Sequence, residues 1–132
     1  MTTRTATCQC GQLTATVTGE PVRISACHCH DCQRRSGAPF ALQARFASGQ
    51  VLFTGEAKVW LRTADSGEQA DQHFCPNCGS TLWYCCRPDR DLIAIPVGAF
   101  TDPDFPAPSF SVYESRKHLW VCIPGDAVVH YD

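Results

Sequence analysis

The sequence predicts an all-β fold, one domain over residues 1–132 with metal-binding knuckles at its turns. Three observations carry that reading. Ten of the 132 residues are cysteine, and seven of those ten fall into three tight clusters. Much of the remaining chain is a series of short alternating or β-branched runs punctuated by Gly and Pro. No segment sustains the 3.6-residue apolar stripe of a packed helix.

In chain order, Cys8-Gln9-Cys10-Gly11 comes first. Side chains at i and i+2 of an extended segment face the same way, and Gly11 permits the turn that aims both sulfurs at one point. Leu13-Thr14-Ala15-Thr16-Val17-Thr18 alternates apolar with polar and reads as a half-buried strand, stopped by Gly19-Glu20-Pro21. Cys27-His28-Cys29-His30-Asp31-Cys32 follows, with at most one turn of helix between Cys29 and Arg35. Strands are predicted over residues 40–46, 51–54 and 58–63, bounded by the Ser48-Gly49, Thr54-Gly55 and Ser66-Gly67 turns. Cys75-Pro76-Asn77-Cys78-Gly79 is a knuckle: thiolates at i and i+3 converge, and Gly79 supplies a positive φ behind the second. Further strands are predicted over residues 81–85, 92–97, 111–114 and 127–131. Asp102-Pro103-Asp104-Phe105-Pro106-Ala107-Pro108 is neither helix nor central strand and reads as a surface connection. Cys85, Cys86 and Cys122 sit in apolar stretches and read as small buried hydrophobes.

Composition narrows the function. Eleven Lys and Arg against thirteen Asp and Glu leave a formal charge of −2, which argues against nucleic-acid binding through excess positive charge. No uncharged apolar run approaches the ~20 residues of a membrane-spanning helix, and the start of the chain lacks the apolar segment of a secretion signal. The expected compartment is the cytoplasm, with no membrane partner; assembly as a homo-oligomer stays open.

An even cysteine count also fits a disulfide framework. A reducing cytosol and the tight clustering favour metal instead. Cys8, Cys10, Cys75 and Cys78 make four thiolates, enough to close a tetrahedral structural zinc site. Such a site contributes ~10–16 kcal/mol, comparable to a whole domain's stability of ~5–15 kcal/mol. Cys27, Cys29 and Cys32 are one ligand short, and three protein ligands with an open vertex are the pattern of catalytic zinc. The competing arrangement closes the fourth corner with His28, His30 or Asp31, making a second structural site.

The donor set limits the chemistry. Three thiolates weaken zinc as a Lewis acid, so such a site suits capture of a soft ligand, a substrate thiol, better than formation of hydroxide. The residues point to a zinc enzyme acting on a thiol adduct or, as the alternative, to a non-catalytic zinc-binding module. Rival motifs are missing. No His is followed two residues later by Glu, as nucleobase deaminases need; Gln33 and Gly79, not His, follow the C-x-x-C steps that haem attachment uses. Arg34 and Arg35 directly follow the triple, where either would offer a fork to a substrate carboxylate or remain a solvated surface charge. Trp83, Trp120 and Phe40 are pocket walls or core, and Glu114 and His118 are proton carriers or surface residues.

The three clusters, Cys8-x-Cys10-Gly11, Cys27-His28-Cys29-x-x-Cys32 and Cys75-Pro76-x-Cys78-Gly79-Ser80, together resemble the glutathione-dependent formaldehyde-activating enzyme and centromere protein V family. Residues 34–40, 97–102 and 117–120 extend the resemblance over nearly the whole chain. It implies a β-tent type fold, a structural zinc on the two outer pairs and a second zinc on the triple. It also implies a carbon–sulfur lyase that joins glutathione and formaldehyde as S-hydroxymethylglutathione. Two residues depart from the family pattern: Gln72 stands where an Arg is expected, and Leu119 replaces a Pro before Trp120.

Overall fold

The computed structural model describes residues 1–132. Its strands are β1 (Thr3–Thr7), β2 (Thr14–Thr18), β3 (Arg23–Cys27), β4 (Ala41–Ala47), β5 (Val51–Thr54), β6 (Lys58–Thr63), β7 (Gln69–Phe74), β8 (Thr81–Cys86), β9 (Asp89–Pro96), β10 (Phe110–Val112) and β11 (Val129–His130). One helix, α1 (His30–Ser36), and three single 3₁₀ turns complete the secondary structure. The protein is mostly β-sheet, as the sequence predicts.

Two sheets form. β1-β2-β5 is antiparallel, and β11-β10-β3-β4-β9-β8-β7-β6 is antiparallel except for its β11-β10-β3 edge, which pairs in parallel. The alternation along each strand gives the larger sheet two unlike faces. Ile24 of β3, Ala44 and Phe46 of β4, and Ile93 and Ile95 of β9 point to one face. There they meet Ala15 and Val17 of β2, Ala6 of β1 and Val51 of β5, forming a shared apolar core. Phe46, Leu13, Leu82, Ile95 and Val17 are fully buried in it. Burial of each such side chain stabilises the fold by about 1.5–3 kcal/mol. The smaller sheet therefore leans on one face of the larger one, and this packing positions everything else.

The opposite face carries the intervening residues: Arg23, Ser25 and Cys27 of β3, Gln43 and Arg45 of β4, Tyr84 and Cys86 of β8, and Gln72 of β7. It is polar, and α1 connects β3 to β4 and packs beside β4.

Three strands escaped prediction. β1 (Thr-Arg-Thr-Ala-Thr) has a single apolar residue, β3 (Arg-Ile-Ser-Ala-Cys) has a serine between its apolar residues, and β7 (Gln-Ala-Asp-Gln-His-Phe) interrupts its apolar face with Gln72, so none shows the sustained apolar periodicity that marks a strand. The predicted strands all form, with ends shifted by a few residues, and the proline-rich connection at residues 102–108 is irregular. Cys85 is buried and Cys86 half-buried, but Cys122 is exposed, because the segment that holds it turns the flanking Val121 and Ile123 onto Ala26 and leaves Cys122 facing outward.

Gly55 makes a sharp test of the packing between the β1–β2 and β5–β6 turns. Its φ is +93°, and a Cβ there would fall 1.9 Å from the Gln12 carbonyl oxygen. Gln12 is itself tied down, its amide nitrogen donating to the Glu56 carbonyl at 2.6 Å and its amide oxygen accepting from the Glu56 N–H at 3.0 Å. Gly55→Ala is expected to destabilise the protein by about 3 kcal/mol or more, since left-handed strain alone costs ~1–3 kcal/mol. Urea denaturation measures this; an unchanged midpoint would show that the turn can open freely.

Two cysteine clusters and a candidate active site

The outer cluster forms where two hairpin tips meet. Cys8 and Cys10 lie in the β1–β2 turn, closed by Gly11 N–H donating to the Cys8 carbonyl at 3.1 Å. Cys75 and Cys78 lie in the β7–β8 turn, closed by Gly79 N–H donating to the Cys75 carbonyl at 2.8 Å. Both glycines have positive φ, +87° and +79°, as the knuckle geometry requires. All four sulfurs lie within 4.8 Å of one another, with Cys8–Cys10 at 3.7 Å and Cys10–Cys75 at 3.6 Å. Four sulfurs about 2.3 Å from one zinc ion stand about 3.8 Å apart, so this donor set fits a tetrahedral zinc.

Donors surround these sulfurs as they would surround metal-bound thiolates. Leu13 N–H reaches Cys8 Sγ at 3.3 Å, Asn77 N–H reaches Cys75 Sγ at 3.4 Å, and the Gln12 amide reaches Cys75 Sγ at 3.1 Å. Hydrogen bonds from the Ser80 hydroxyl and N–H hold the Cys78 thiol down at about 5. One metal here would tie the β1–β2 tip of the small sheet to the β7–β8 tip of the large one.

The inner cluster is built at the β3–α1 junction. Cys27 ends β3, Cys29 is the N-cap of α1, and Cys32 lies in its first turn. The Cys29 sulfur accepts from the Cys32 N–H at 3.4 Å, so the helix start itself orients two of the three donors. The three sulfurs lie within 4.8 Å of one another, and neither His28, His30 nor Asp31 joins them. His28 is fully buried and turns its Nε2 to Ser111 Oγ at 2.9 Å. His30 Nδ1 faces Arg116 at 3.3 Å, and Asp31 pairs with Arg62 at 3.0 Å. Three soft donors suit zinc with one position left for another ligand.

Charge in the triple is concentrated on one sulfur. Hydrogen bonds from Cys27 and Cys32 hold the Cys29 thiol down at about 2. Cys27 is pushed far up, chiefly by sharing its proton with Cys29. Cys32 is raised as well, the pull of Cys27 being outweighed by Cys29 and by burial. In the metal-free triple the shared protons favour a thiolate at Cys29 over Cys27 and Cys32. Zinc uptake should release about two protons, and log K should rise by about two per pH unit, because protons and metal compete for Cys27 and Cys32. Calorimetry in buffers of different ionisation enthalpy reads the proton count directly, and a count near zero would refute this charge distribution.

Beside the triple the polar sheet face and α1 enclose a cavity of roughly 530 Å³. Its lining includes Cys27, Cys29, Cys32, Gln43, Tyr84 and Cys86, together with Arg23, Arg34, Arg35, Arg45, Arg62 and Arg116. Arg34 and Arg35, the two singled out from sequence, thus face the site rather than bulk solvent alone. Arg23 and Arg45 come from directly opposed positions on β3 and β4. Arg62 comes from β6. Tyr113, held at φ +58°, turns the chain out of β10 so that Arg116 reaches the rim. Nothing local in the sequence marks these four; register and turn geometry bring them in.

The other sequence candidates lie elsewhere. Trp83 stacks between Phe53 and His73, Phe40 packs on His28, and Trp120 is exposed. None of the three lines the cavity. Burial alone would raise the Glu114 carboxyl, but hydrogen bonds from His130 and Ser111 hold it below its usual range. His118 Nε2 lies 3.0 Å from Gln33 Oε1. Both flank the β10 side of the molecule, and neither lines the cavity.

A family model described as glutathione-dependent formaldehyde-activating enzyme matches residues 3–116, most of the chain and all seven clustered cysteines. The chain belongs to that family. A crystal structure of a Rhodobacter sphaeroides protein shares the fold, with a TM-score of 0.57 at 22% identity over 75% of this chain and 91% of that one. No curated protein matches the chain significantly. No helix is long and apolar enough to cross a membrane.

Proposed function

We propose that this family member is a zinc-dependent carbon–sulfur lyase joining a thiol to an aldehyde, with glutathione and formaldehyde as the substrate pair and S-hydroxymethylglutathione as the product. The observation that carries the reading is the cysteine triple: three sulfurs, no fourth protein ligand, and one side turned to a substrate-sized cavity. Zinc held there by Cys27, Cys29 and Cys32 would favour the thiolate form of a fourth, incoming sulfur. In the addition a sulfur–carbon bond forms, the carbonyl π bond breaks, and the thiol proton passes to the new hydroxyl oxygen, with no oxidant or reductant required.

The chain's own residues account for the remaining work. Cys29 caps α1, so the helix fixes the direction from which a ligand enters. Gln43, almost fully buried, spans from Cys32 Sγ at 4.0 Å to Arg35 Nη2 at 3.4 Å and joins the sulfur end of the cavity to its cationic end. Arg34 and Arg35 supply positive charge for the carboxylates of glutathione. Residues 1–132 are read as one zinc-binding domain, supported by a core that draws on both sheets. A cytoplasmic location is part of the same proposal.

Cobalt substitution tests the reading. Glutathione entering the triple should change the cobalt absorption, and His30→Ala should leave that response intact. If thiols cause no change and His30→Ala strips the metal, the triple is closed and the non-catalytic module replaces the enzyme.

A further inference from the structure

The distribution of ion pairs across the molecule singles out one part of the cavity. Arg4, Arg62, Arg87 and Arg90 each pair with a carboxylate. The other five arginines, Arg23, Arg34, Arg35, Arg45 and Arg116, have no carboxylate partner, and all five line this one cavity. The lining also holds Asp31, which pairs with Arg62, and Asp65 and Glu68, which pair with none of the five, so the lining keeps a positive surplus that an anion would offset. The surplus is clearest on the floor, where Arg23 and Arg45 stand directly opposite across β3 and β4, and like charges in that register repel.

Tyr84 organises the floor. The Arg35 guanidinium lies 4.7 Å over its ring, and Arg45 Nη2 stands 3.5 Å from its hydroxyl. Arg23 is held from the side, its Nε donating to Ser25 Oγ at 2.9 Å with its guanidinium 4.4 Å over the Phe110 ring. These contacts fix the planes of the guanidinium groups and leave donors free. Gln43 connects the group to Cys32, so the cationic floor and the triple are one residue apart.

We infer that Arg35 and Arg45, backed by Arg23 and set by Tyr84, form a carboxylate-binding site beside the cysteine triple, so that a substrate is held at its sulfur end and at a carboxylate together. The thiol half of this statement rests on the function proposed above; the carboxylate half extends the role given there to Arg35 and stands on the arginine geometry. A planar, singly charged carboxylate matches the guanidinium fork. The carboxylate has two possible sources, the thiol itself or the carbonyl compound that joins it.

Calorimetry on the zinc-loaded protein separates them, using 3-mercaptopropionate, its methyl ester and glyoxylate as probes. If the thiol supplies the carboxylate, 3-mercaptopropionate should bind roughly tenfold to hundredfold tighter than the ester, the loss expected for one hydrogen-bonded charge. Arg45→Gln and Arg35→Gln should then remove the difference while leaving ester binding unchanged. If the carbonyl compound supplies it, the two thiols should bind alike, and glyoxylate should bind in a manner lost in Arg45→Gln. Glyoxylate binding with no thiol binding at all would uphold the carboxylate site and overturn the thiol reading. Equal affinity for acid and ester without glyoxylate binding would overturn the site and leave the thiol reading standing. An Arg45→Gln protein that loses ester and acid affinity equally would assign these arginines a structural role and refute the inference. The acid–ester comparison in the unaltered protein stands even if neither variant folds.

Discussion

Cys78→Ser is expected to leave the chain without a stable fold at 25 °C. A metal in the outer cluster would fasten the tips of the β1–β2 and β7–β8 hairpins, which only two weak hydrogen bonds, Gln12 to Cys75 Sγ and Gln9 N–H to Ser80 Oγ, otherwise join. A structural zinc site contributes ~10–16 kcal/mol of apparent binding energy, and whole-domain stability is ~5–15 kcal/mol. Removing one of four thiolates should therefore exhaust the net stability. Far-ultraviolet circular dichroism and zinc stoichiometry, both under reducing conditions, measure the result. A well-folded Cys78→Ser protein with no zinc at the outer cluster and an unchanged melting temperature would remove the structural role altogether. The hydrogen bonds that Cys75 and Cys78 receive would then be ordinary turn contacts.

Cys29→Ser is expected to do the opposite, abolishing activity while sparing the fold. Cys29 serves α1 as its N-cap, with extended backbone (φ −63°, ψ 156°), and Ser is among the best residues at that position. The helix start should survive the exchange, whereas a hydroxyl is a poor soft donor for zinc. Zinc content should fall from two ions per chain to one. The thiol-dependent rate, followed by NMR of adduct formation above the spontaneous background, should fall on the order of 10³-fold or more, given that enzymes accelerate reactions by ~10⁶ upward. Retention of both zinc and rate would exclude Cys29 from the site. Collapse of the fold would instead make the triple a second structural centre, and the lyase mechanism would go with it.

The two variants are informative together because their clusters have different surroundings. The outer four sulfurs complete a coordination shell from two distant turns. The inner three come from a single segment of β3 and α1 and face an open cavity. The same chemical change therefore tests stability in one place and reactivity in the other.

The sequence by itself determined the chemistry of the donors. Cysteines two or three residues apart, backed by Gly11 and Gly79, converge within one turn, so each pair is a local property that spacing reveals, whereas the joining of the two pairs is tertiary. The alternating strands β2, β4 and β9 were legible for the same reason, since one face of each is apolar and buried in the core. Strand β7 was not, because polar residues such as Gln72 and His73 take buried or stacked positions in it and break the period-two apolar pattern. Only the tertiary structure decided the character of the cavity. Arg23 and Arg45 are adjacent only through the β3–β4 register, and Arg62 and Arg116 arrive from strands and turns remote in the chain. Tertiary packing also decided that the triple has no fourth ligand, by committing His30 to Arg116 and Asp31 to Arg62. A cysteine pair or triple is set by bond lengths across a few residues, but the meeting of two pairs and the gathering of an anion site depend on distant strands and turns, and no local pattern records that meeting.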